Sequence, residues 1–481
     1  MKRAQHYVSV NSVEEREFTE KLTRFCARQF GGEPEIANLR RLSGGANMES
    51  WSFDHGGQGM VLRRLPDGMA DRGGDEAAIA AISLAAQAKL IAIAEQAGVT
   101  APRVLGVLGD EDALGTGFVM ARAEGETLPH KILGNPDFAE AEAGLSTACA
   151  RELALIHALP RDGLPGDIQT VTERQLLDQQ EAAYREVDGA IPIFDHAFGW
   201  LERHLPPPAE PKLVHGDFRM GNLMIDSDGI SAVLDWELAH FGDPLEDLAY
   251  LCTPSWRFGH YEKEAGGFDS AGNLIAAYEA ASGTTVDRAR FDWWLVYNTL
   301  WWGVACLRMG HSYRDGSAHT LERTIIGRRV SEVEIDLVLQ FEAMRDTESR
   351  PIEWAEPPLL PETGEVAYAE ILNALIEWDR EKVMPGLEGH PLFEARVANN
   401  ALGIAQRAAA WGGMFAARQA QRLDALDIGH GAFCEALRGG HRDLADDDLF
   451  DHLRLSALER LSIDQPKYGG LRVAKTRWRI K

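Results

Sequence analysis

An α+β chain that ends in an all-α module is the fold class this 481-residue sequence predicts, and three observations carry it. Between residues 39 and 120, short apolar runs broken by glycine or turn residues recur around one long helical pattern. A second pair of strand-like runs, Leu223 to Ile225 and Ile230 to Leu234, meets at Asp226-Ser227-Asp228-Gly229, which is strong turn chemistry. Beyond residue 366 the strand signal stops, and only Ala/Leu/Arg patterns of helical period remain.

Composition bounds the function classes. Hydrophobic residues make up 45% and charged residues 26%, the balance of an ordinary soluble protein, and the length suits two or three domains. The first ten residues carry no apolar run of signal-sequence length, and no apolar stretch approaches a membrane span. Five scattered cysteines without Cys-x-x-Cys spacing argue against a disulfide framework or a zinc site, so the expected location is cytoplasmic. The net charge of −25 argues against nucleic acid and against anionic membranes as partners.

The elements follow in order. Residues 14–30 predict an amphipathic helix with Phe18, Leu22, Phe25 and Cys26 on one face, closed by Gly31-Gly32. Leu39 to Phe53 reads as a hairpin about Ser43-Gly44-Gly45, where glycine lets backbone N–H groups approach a phosphate closely. Met60 to Pro66 is a strand bearing Arg63, and a helix from Glu76 to Ala97 carries Gln87. Strands at 104–108 and 117–120 lead into Ala121-Arg122-Ala123-Glu124-Gly125. A helix over 137–158 and further helix over 161–212 precede the second strand pair. Trp293, Trp294, Tyr297, Trp301 and Trp302 crowd one helix and are expected in a core, with the wall of an acceptor pocket as the alternative. A proline- and glutamate-rich stretch at 347–366 reads as a linker. Helical patterns with Gly-His or Gly-Gly breaks are then expected over 367–383, 391–423 and 430–463, with the paired Asn399-Asn400 facing solvent or fixing a register, and the basic stretch 472–481 forming a solvated tail.

The stretch Leu213 to Asp247 is where chemistry concentrates. It opens with His215-Gly216-Asp217, Asn222 follows five residues later, and Asp235 ends the second strand. Pairing the two strands about the Asp226–Gly229 turn puts Asn222 nearly opposite Leu234 and Asp235, with Asp217 just upstream. Oxygen ligands gathered at one hairpin mouth suit a hard cation such as Mg²⁺, which keeps water and phosphate as its other ligands. Asp243 and Pro244 read as a helix start, and His215 and Asp247 as supports of the loop.

This pattern resembles the aminoglycoside phosphotransferase family of kinase-like enzymes, over about residues 10–345. The resemblance implies a two-lobed protein-kinase-like fold with lobes at 1–121 and 122–346, a linker at 347–366 and a helical domain of uncharacterised type at 367–481. It further implies that Asp217 orients the acceptor hydroxyl and takes its proton, and that Asn222 and Asp235 hold Mg²⁺. Ser43, Gly44 and Gly45 would cover the phosphates of ATP, and backbone groups of Ala121 and Ala123 would meet adenine. Arg63 stands where such folds place a lysine, and Gln87 where they place its glutamate partner, so an Arg63–Gln87 hydrogen bond would replace the ion pair. Val61-Leu62-Arg63-Arg64, Gly98 to Pro102 and Gly242 to Leu251 are most similar to the branch associated with acyl-CoA dehydrogenases. That branch implies transfer from ATP to a hydroxyacyl-CoA, with an acyl-CoA dehydrogenase as pathway partner. The other readings are an aminoglycoside, choline or homoserine kinase and a non-catalytic nucleotide-binding scaffold. The helical domain is expected to serve binding or oligomer assembly.

Overall fold

The computed structural model describes residues 12–31, 35–42, 48–66, 81–360 and 364–480. In chain order its principal elements are α1 (Ser12–Phe30), β1 (Ile36–Arg41), β2 (Glu49–His55), β3 (Gln58–Leu65), α2 (Leu84–Gln96), β4 (Val104–Val107), β5 (Thr116–Ala121), α3 (Pro129–Ile132), α4 (Ala139–His157), α5 (Glu173–Glu186), α6 (Pro192–Arg203), β6 (Lys212–Val214), β7 (Leu223–Ile225), β8 (Ile230–Val233), β9 (His240–Gly242), α7 (Leu245–Cys252), α8 (Ala271–Ser282), α9 (Arg288–Arg314), α10 (Leu321–Ile326) and α11 (Val330–Ala343). Five further helices close the chain: α12 (Tyr368–Trp378), α13 (Gly389–Ala425), α14 (His430–Arg438), α15 (Asp447–Asp464) and α16 (Gly469–Arg477). Two compact units result, one from Met1–Glu173, Pro208–Cys252 and Glu262–Phe291, the other from the remaining segments. No helix among the described residues is long and apolar enough to cross a membrane.

In the first unit an antiparallel five-stranded sheet runs in the order β1-β2-β3-β5-β4. Strand alternation sends Met60 and Leu62 of β3 into a core with Trp51, Phe53 and Val119, and sends Arg63 to the opposite face. Helix α1 closes that core with Phe18, Leu22, Phe25 and Cys26, the face its period predicts, and Phe18 lies 4.5 Å from Trp51 between ring centroids. Helix α2 starts at Leu84, where Ser83 accepts the Ala86 N–H at 3.2 Å. Of the longer helix expected from Glu76, residues 76–80 lie outside the described residues.

Two short sheets carry the motif-bearing stretch. Strands β6 and β9 pair Leu213 with Phe241, and β7 and β8 pair Leu223 with Val233. The Asp226 Oδ1 accepts N–H groups from Asp228 and Gly229, which makes the expected turn. Gly125 has φ +140°, and a Cβ there would meet the Ile225 carbonyl oxygen at 2.6 Å. Glycine thus permits Glu126 and Ile225 to exchange backbone hydrogen bonds of 2.8 and 3.0 Å.

The second unit is helical. Trp293 and Trp294 are buried, with the Trp293 indole N–H on the Leu201 carbonyl at 3.0 Å, so the front of the aromatic stripe is core. Trp301 and Trp302 are half-buried. Asn399 neither faces solvent nor awaits another chain: its amide donates to the Ile376 carbonyl and to Asp379, and its oxygen accepts from Arg380. It ties α13 to the end of α12, while Asn400 is exposed. The helical pattern expected over 430–463 breaks at Gly439-Gly440, where Gly440 has φ +68°. The basic C-terminal stretch is not a solvated tail. Leu471, Ala474 and Trp478 are buried, and the Trp478 indole donates to Glu342 at 2.8 Å, so α16 is held by its apolar face.

Candidate active site

The geometry of the His215–Asp217 loop starts from a fully buried carboxylate. Asp247, on α7, accepts the backbone N–H groups of His215 at 2.7 Å and Gly216 at 2.8 Å. His157 reaches the same carboxylate at 3.2 Å, and its other ring nitrogen meets the Tyr278 hydroxyl at 2.8 Å. Burial opposes the charge on Asp247, but the His157 and backbone hydrogen bonds outweigh it and hold its pKa below the usual carboxylate value. Gly216 sits at φ +79°, with a Cβ position only 2.4 Å from the Leu238 carbonyl oxygen. The His215 Nε2 lies 3.0 Å from the Leu234 carbonyl and its Nδ1 accepts the Asp217 N–H at 3.2 Å, a pairing that suits the neutral ring protonated on Nε2. His215 and Asp247 are therefore supports that aim Asp217.

Asp217 projects into a polar cluster. Its Oδ1 accepts the Arg219 Nε–H at 2.9 Å, its Oδ2 accepts the Asn222 amide at 2.5 Å, and the Tyr250 hydroxyl also bonds to it. Burial pushes the Asp217 pKa up against the pull of Arg219, and the nearby Asp235 charge adds to the rise. Asn222 spends its amide N–H groups on Asp217, on the carbonyl at 2.9 Å and on the carboxylate, which leaves its side-chain oxygen as the remaining polar group. The hairpin register sets the next residue: the Leu234 N–H bonds the Asn222 carbonyl at 2.8 Å, so Asp235 lies one residue past the position opposite Asn222. Asp235 occupies the left-handed region at φ 66°, a conformation that costs a non-glycine residue free energy and concentrates at functional sites.

Arg63 and Gln87 do not form the expected pair. The Arg63 Nη2 donates to Asp235 at 2.6 Å and to Glu237 at 2.8 Å. Gln87 instead donates to the Ile82 carbonyl at 3.1 Å, just ahead of α2. Two carboxylates attract a guanidinium far more strongly than a neutral amide does, so the ion pair forms across the sheet face. Glu237 was missed by sequence reasoning as a site residue. Burial, followed by the charge of Asp235, raises its pKa to about 7. The available signal was a carboxylate two residues beyond Asp235, one 3-10 turn away.

The remaining expected positions divide. Ser43, Gly44 and Gly45 lie outside the described residues. Ala121 ends β5 opposite Met60 and gives its N–H to the Arg103 carbonyl at 2.8 Å, with Ala123 two residues further along the loop. Among the described residues no three His, Cys, Asp or Glu side chains converge to hold a metal ion. The oxygen set of Asn222 and Asp235 nonetheless fits Mg²⁺, which needs only one or two protein ligands beside water and phosphate.

Fold and site together define a kinase-like phosphotransferase scaffold. A family model described as the phosphotransferase enzyme family matches residues 38–294, over half of the chain. The chain belongs to that family. A second model, for a domain of unknown function, matches residues 385–468. Among curated proteins the chain is 29% identical over 235 residues to mouse acyl-CoA dehydrogenase family member 10, covering 43% of this chain and 20% of that protein. It is 29% identical over 252 residues to chicken acyl-CoA dehydrogenase family member 11, covering 48% and 30% respectively. The chain thus spans less than a third of the length of these relatives. A crystal structure of a protein from Ralstonia eutropha JMP134, designated an aminoglycoside phosphotransferase, matches with a TM-score of 0.54 at 20% identity, over 67% of this chain and 98% of that one. That likeness shows the fold.

Proposed function

We propose that this protein moves the γ-phosphoryl group of ATP to an alcohol hydroxyl of a small molecule, and that the acceptor is a hydroxyacyl-CoA. The observation that carries the reaction class is the convergence of Asp217, Asn222 and Asp235 at the mouth of one hairpin. The acyl-CoA assignment is supported by the relatives, which are named as acyl-CoA dehydrogenase family members. In this reading residues 1–121 and 122–346 are the two lobes, and 367–481 is an accessory helical domain joined by 347–366.

The residues would act as follows. Asp217, held on both oxygens by Arg219 and Asn222, orients the acceptor hydroxyl and receives its proton as the oxygen attacks. Burial raises its affinity for that proton, which suits a general base. Asn222 and Asp235 would hold Mg²⁺, which when bound neutralises charge on the transferring phosphates. Arg63 would exchange the carboxylates for phosphate oxygens, which a guanidinium can grip bidentately. The Ala121 N–H is already committed to Arg103, so adenine would be met by the Ala121 carbonyl and by Ala123. Ser43, Gly44 and Gly45 would cover the phosphates with backbone N–H groups. Positioning and charge neutralisation supply most of the rate in such transfers.

The test is ADP release with Mg-ATP and a 4-hydroxyacyl-CoA, with an aminoglycoside mixture and Asp217→Asn as controls. Release that needs the acyl-CoA and vanishes in Asp217→Asn supports both halves of the reading. Activity on another alcohol alone keeps the chemistry and removes the acyl-CoA. One observation favours a second reading, a non-catalytic nucleotide-binding scaffold: Arg63 occupies the carboxylate that would serve the metal. Nucleotide binding without turnover on any alcohol would establish it.

A further inference from the structure

Helix α12 carries an apolar stripe that the described residues leave uncovered. Tyr368, Ile371, Leu375 and Trp378 are 81, 49, 44 and 57% exposed, and Val366 just before the helix is 70% exposed. The opposite face is fully used. Ala369 and Ile376 are buried there, and Asn399 and Gln406 of α13 bond the Ile376 carbonyl and Asn373. The helix is therefore fixed with its stripe outward. Single exposed apolar residues need no explanation, but a contiguous stripe of this size marks an interface.

The stripe's spacing identifies its partner. Steps of three, four and three residues are the a/d seam of a heptad, which packs against a helix with the same pattern. We propose that α12 packs antiparallel against α12 of a second copy of this chain, about a two-fold axis at the level of Asn373. Ile371 then faces Leu375 of the partner subunit, and Tyr368 faces Trp378 of the partner subunit. Exposed Ala374 sits one residue from the axis, small enough to let the two helices approach closely. A two-fold contact is self-complementary, so one stripe suffices for both sides.

Dipoles and area agree with this arrangement. Antiparallel packing opposes the two helix dipoles, whereas parallel packing would align them. At ordinary side-chain areas the five apolar residues expose roughly 600 Å², most of the ~800 Å² that each partner gives to a standard interface. With −25 on each copy, long-range repulsion works against association, so added salt is expected to leave the dimer intact or tighten it.

Sedimentation velocity on the full chain tests the proposal. At micromolar concentration the expected species is a dimer that persists in high salt. The double variant Ile371→Glu/Leu375→Glu, on exposed positions, should dissociate about a hundredfold more readily, with the far-UV circular dichroism of the folded chain unchanged. Ala374→Cys supplies an arm independent of folding defects. All five native cysteines are buried, so a short thiol-specific cross-linker should give covalent dimer through position 374 alone. A monomer at all concentrations overturns the proposal and leaves the stripe to a different protein. A dimer indifferent to the double charge substitution and unlinked through Ala374→Cys overturns it equally.

Discussion

Arg63 has one guanidinium and two sets of oxygens that compete for it. In this structure it bridges Asp235 and Glu237, so the cation at the site is an amino acid. If Asp235 holds Mg²⁺, the ion must first displace Arg63, and removing Arg63 should make that easier. Arg63→Ala is expected to bind Mg²⁺ more tightly without nucleotide, seen as a larger Mg²⁺-induced rise in melting temperature than the parent shows. An equal or smaller rise would remove Asp235 from the metal site. For Asp217 the expectation concerns the chemical step. Asp217→Asn keeps the side-chain volume and the Arg219 and Asn222 neighbours but cannot take a proton, so turnover should fall by about 10²–10⁴ with nucleotide affinity retained. Loss of nucleotide binding instead would make Asp217 structural. The sequence exposes the Asp217, Asn222 and Asp235 convergence because hairpin register is arithmetic on positions. It could not expose the Arg63–Asp235 pair, whose partners are 172 residues apart and whose choice depends on which carboxylates the fold brings within reach.

Elements show the same division between local and distant causes. The alternation of β3, the face of α1 and the Asp226–Gly229 turn are legible because each depends on neighbours in sequence. The docking of α16 is not, because a run of basic residues hides one tryptophan whose indole finds Glu342 only in the folded chain. Gly439-Gly440 reads in sequence as a break inside one helical stretch, yet it separates two helices, since Gly440 needs a positive φ. Gly125 is the position where an element depends most on having no side chain. Its Cβ would clash with backbone, the Ile225 carbonyl, which cannot swing aside as a side chain can. Gly125→Ala should therefore cost about 1–3 kcal/mol and free the loop after β5 from the β7–β8 hairpin. Chemical denaturation measures the first effect, and hydrogen exchange at Glu126 and Ile225 the second. Unchanged protection at both residues would show that the loop is held by other contacts.

On the scale of the whole molecule, the second unit is stapled by one carboxyl group whose charge depends on pH. Asp336 lies fully buried on α11 and bonds the Tyr261 hydroxyl at 2.9 Å and the Tyr468 hydroxyl at 2.7 Å. It thereby joins three segments that are far apart in sequence. Burial raises its pKa from the ordinary value to about 7, with the two tyrosines pulling the other way. A carboxyl whose folded pKa exceeds its unfolded pKa holds its proton more firmly when folded. Its contribution to stability is complete below about pH 4 and is lost as pH rises through about 7. The substitution Asp336→Asn supplies an amide that matches the neutral acid in shape, donating to one tyrosine and accepting from the other, without an ionisable group. The variant should therefore equal the parent at low pH and exceed it above neutrality. Urea midpoints at pH 5 and pH 8 make the comparison: the gap between variant and parent should widen toward the higher pH. Parallel midpoints at both values would show that Asp336 stays ionised throughout and is held as a carboxylate by its two hydroxyl donors.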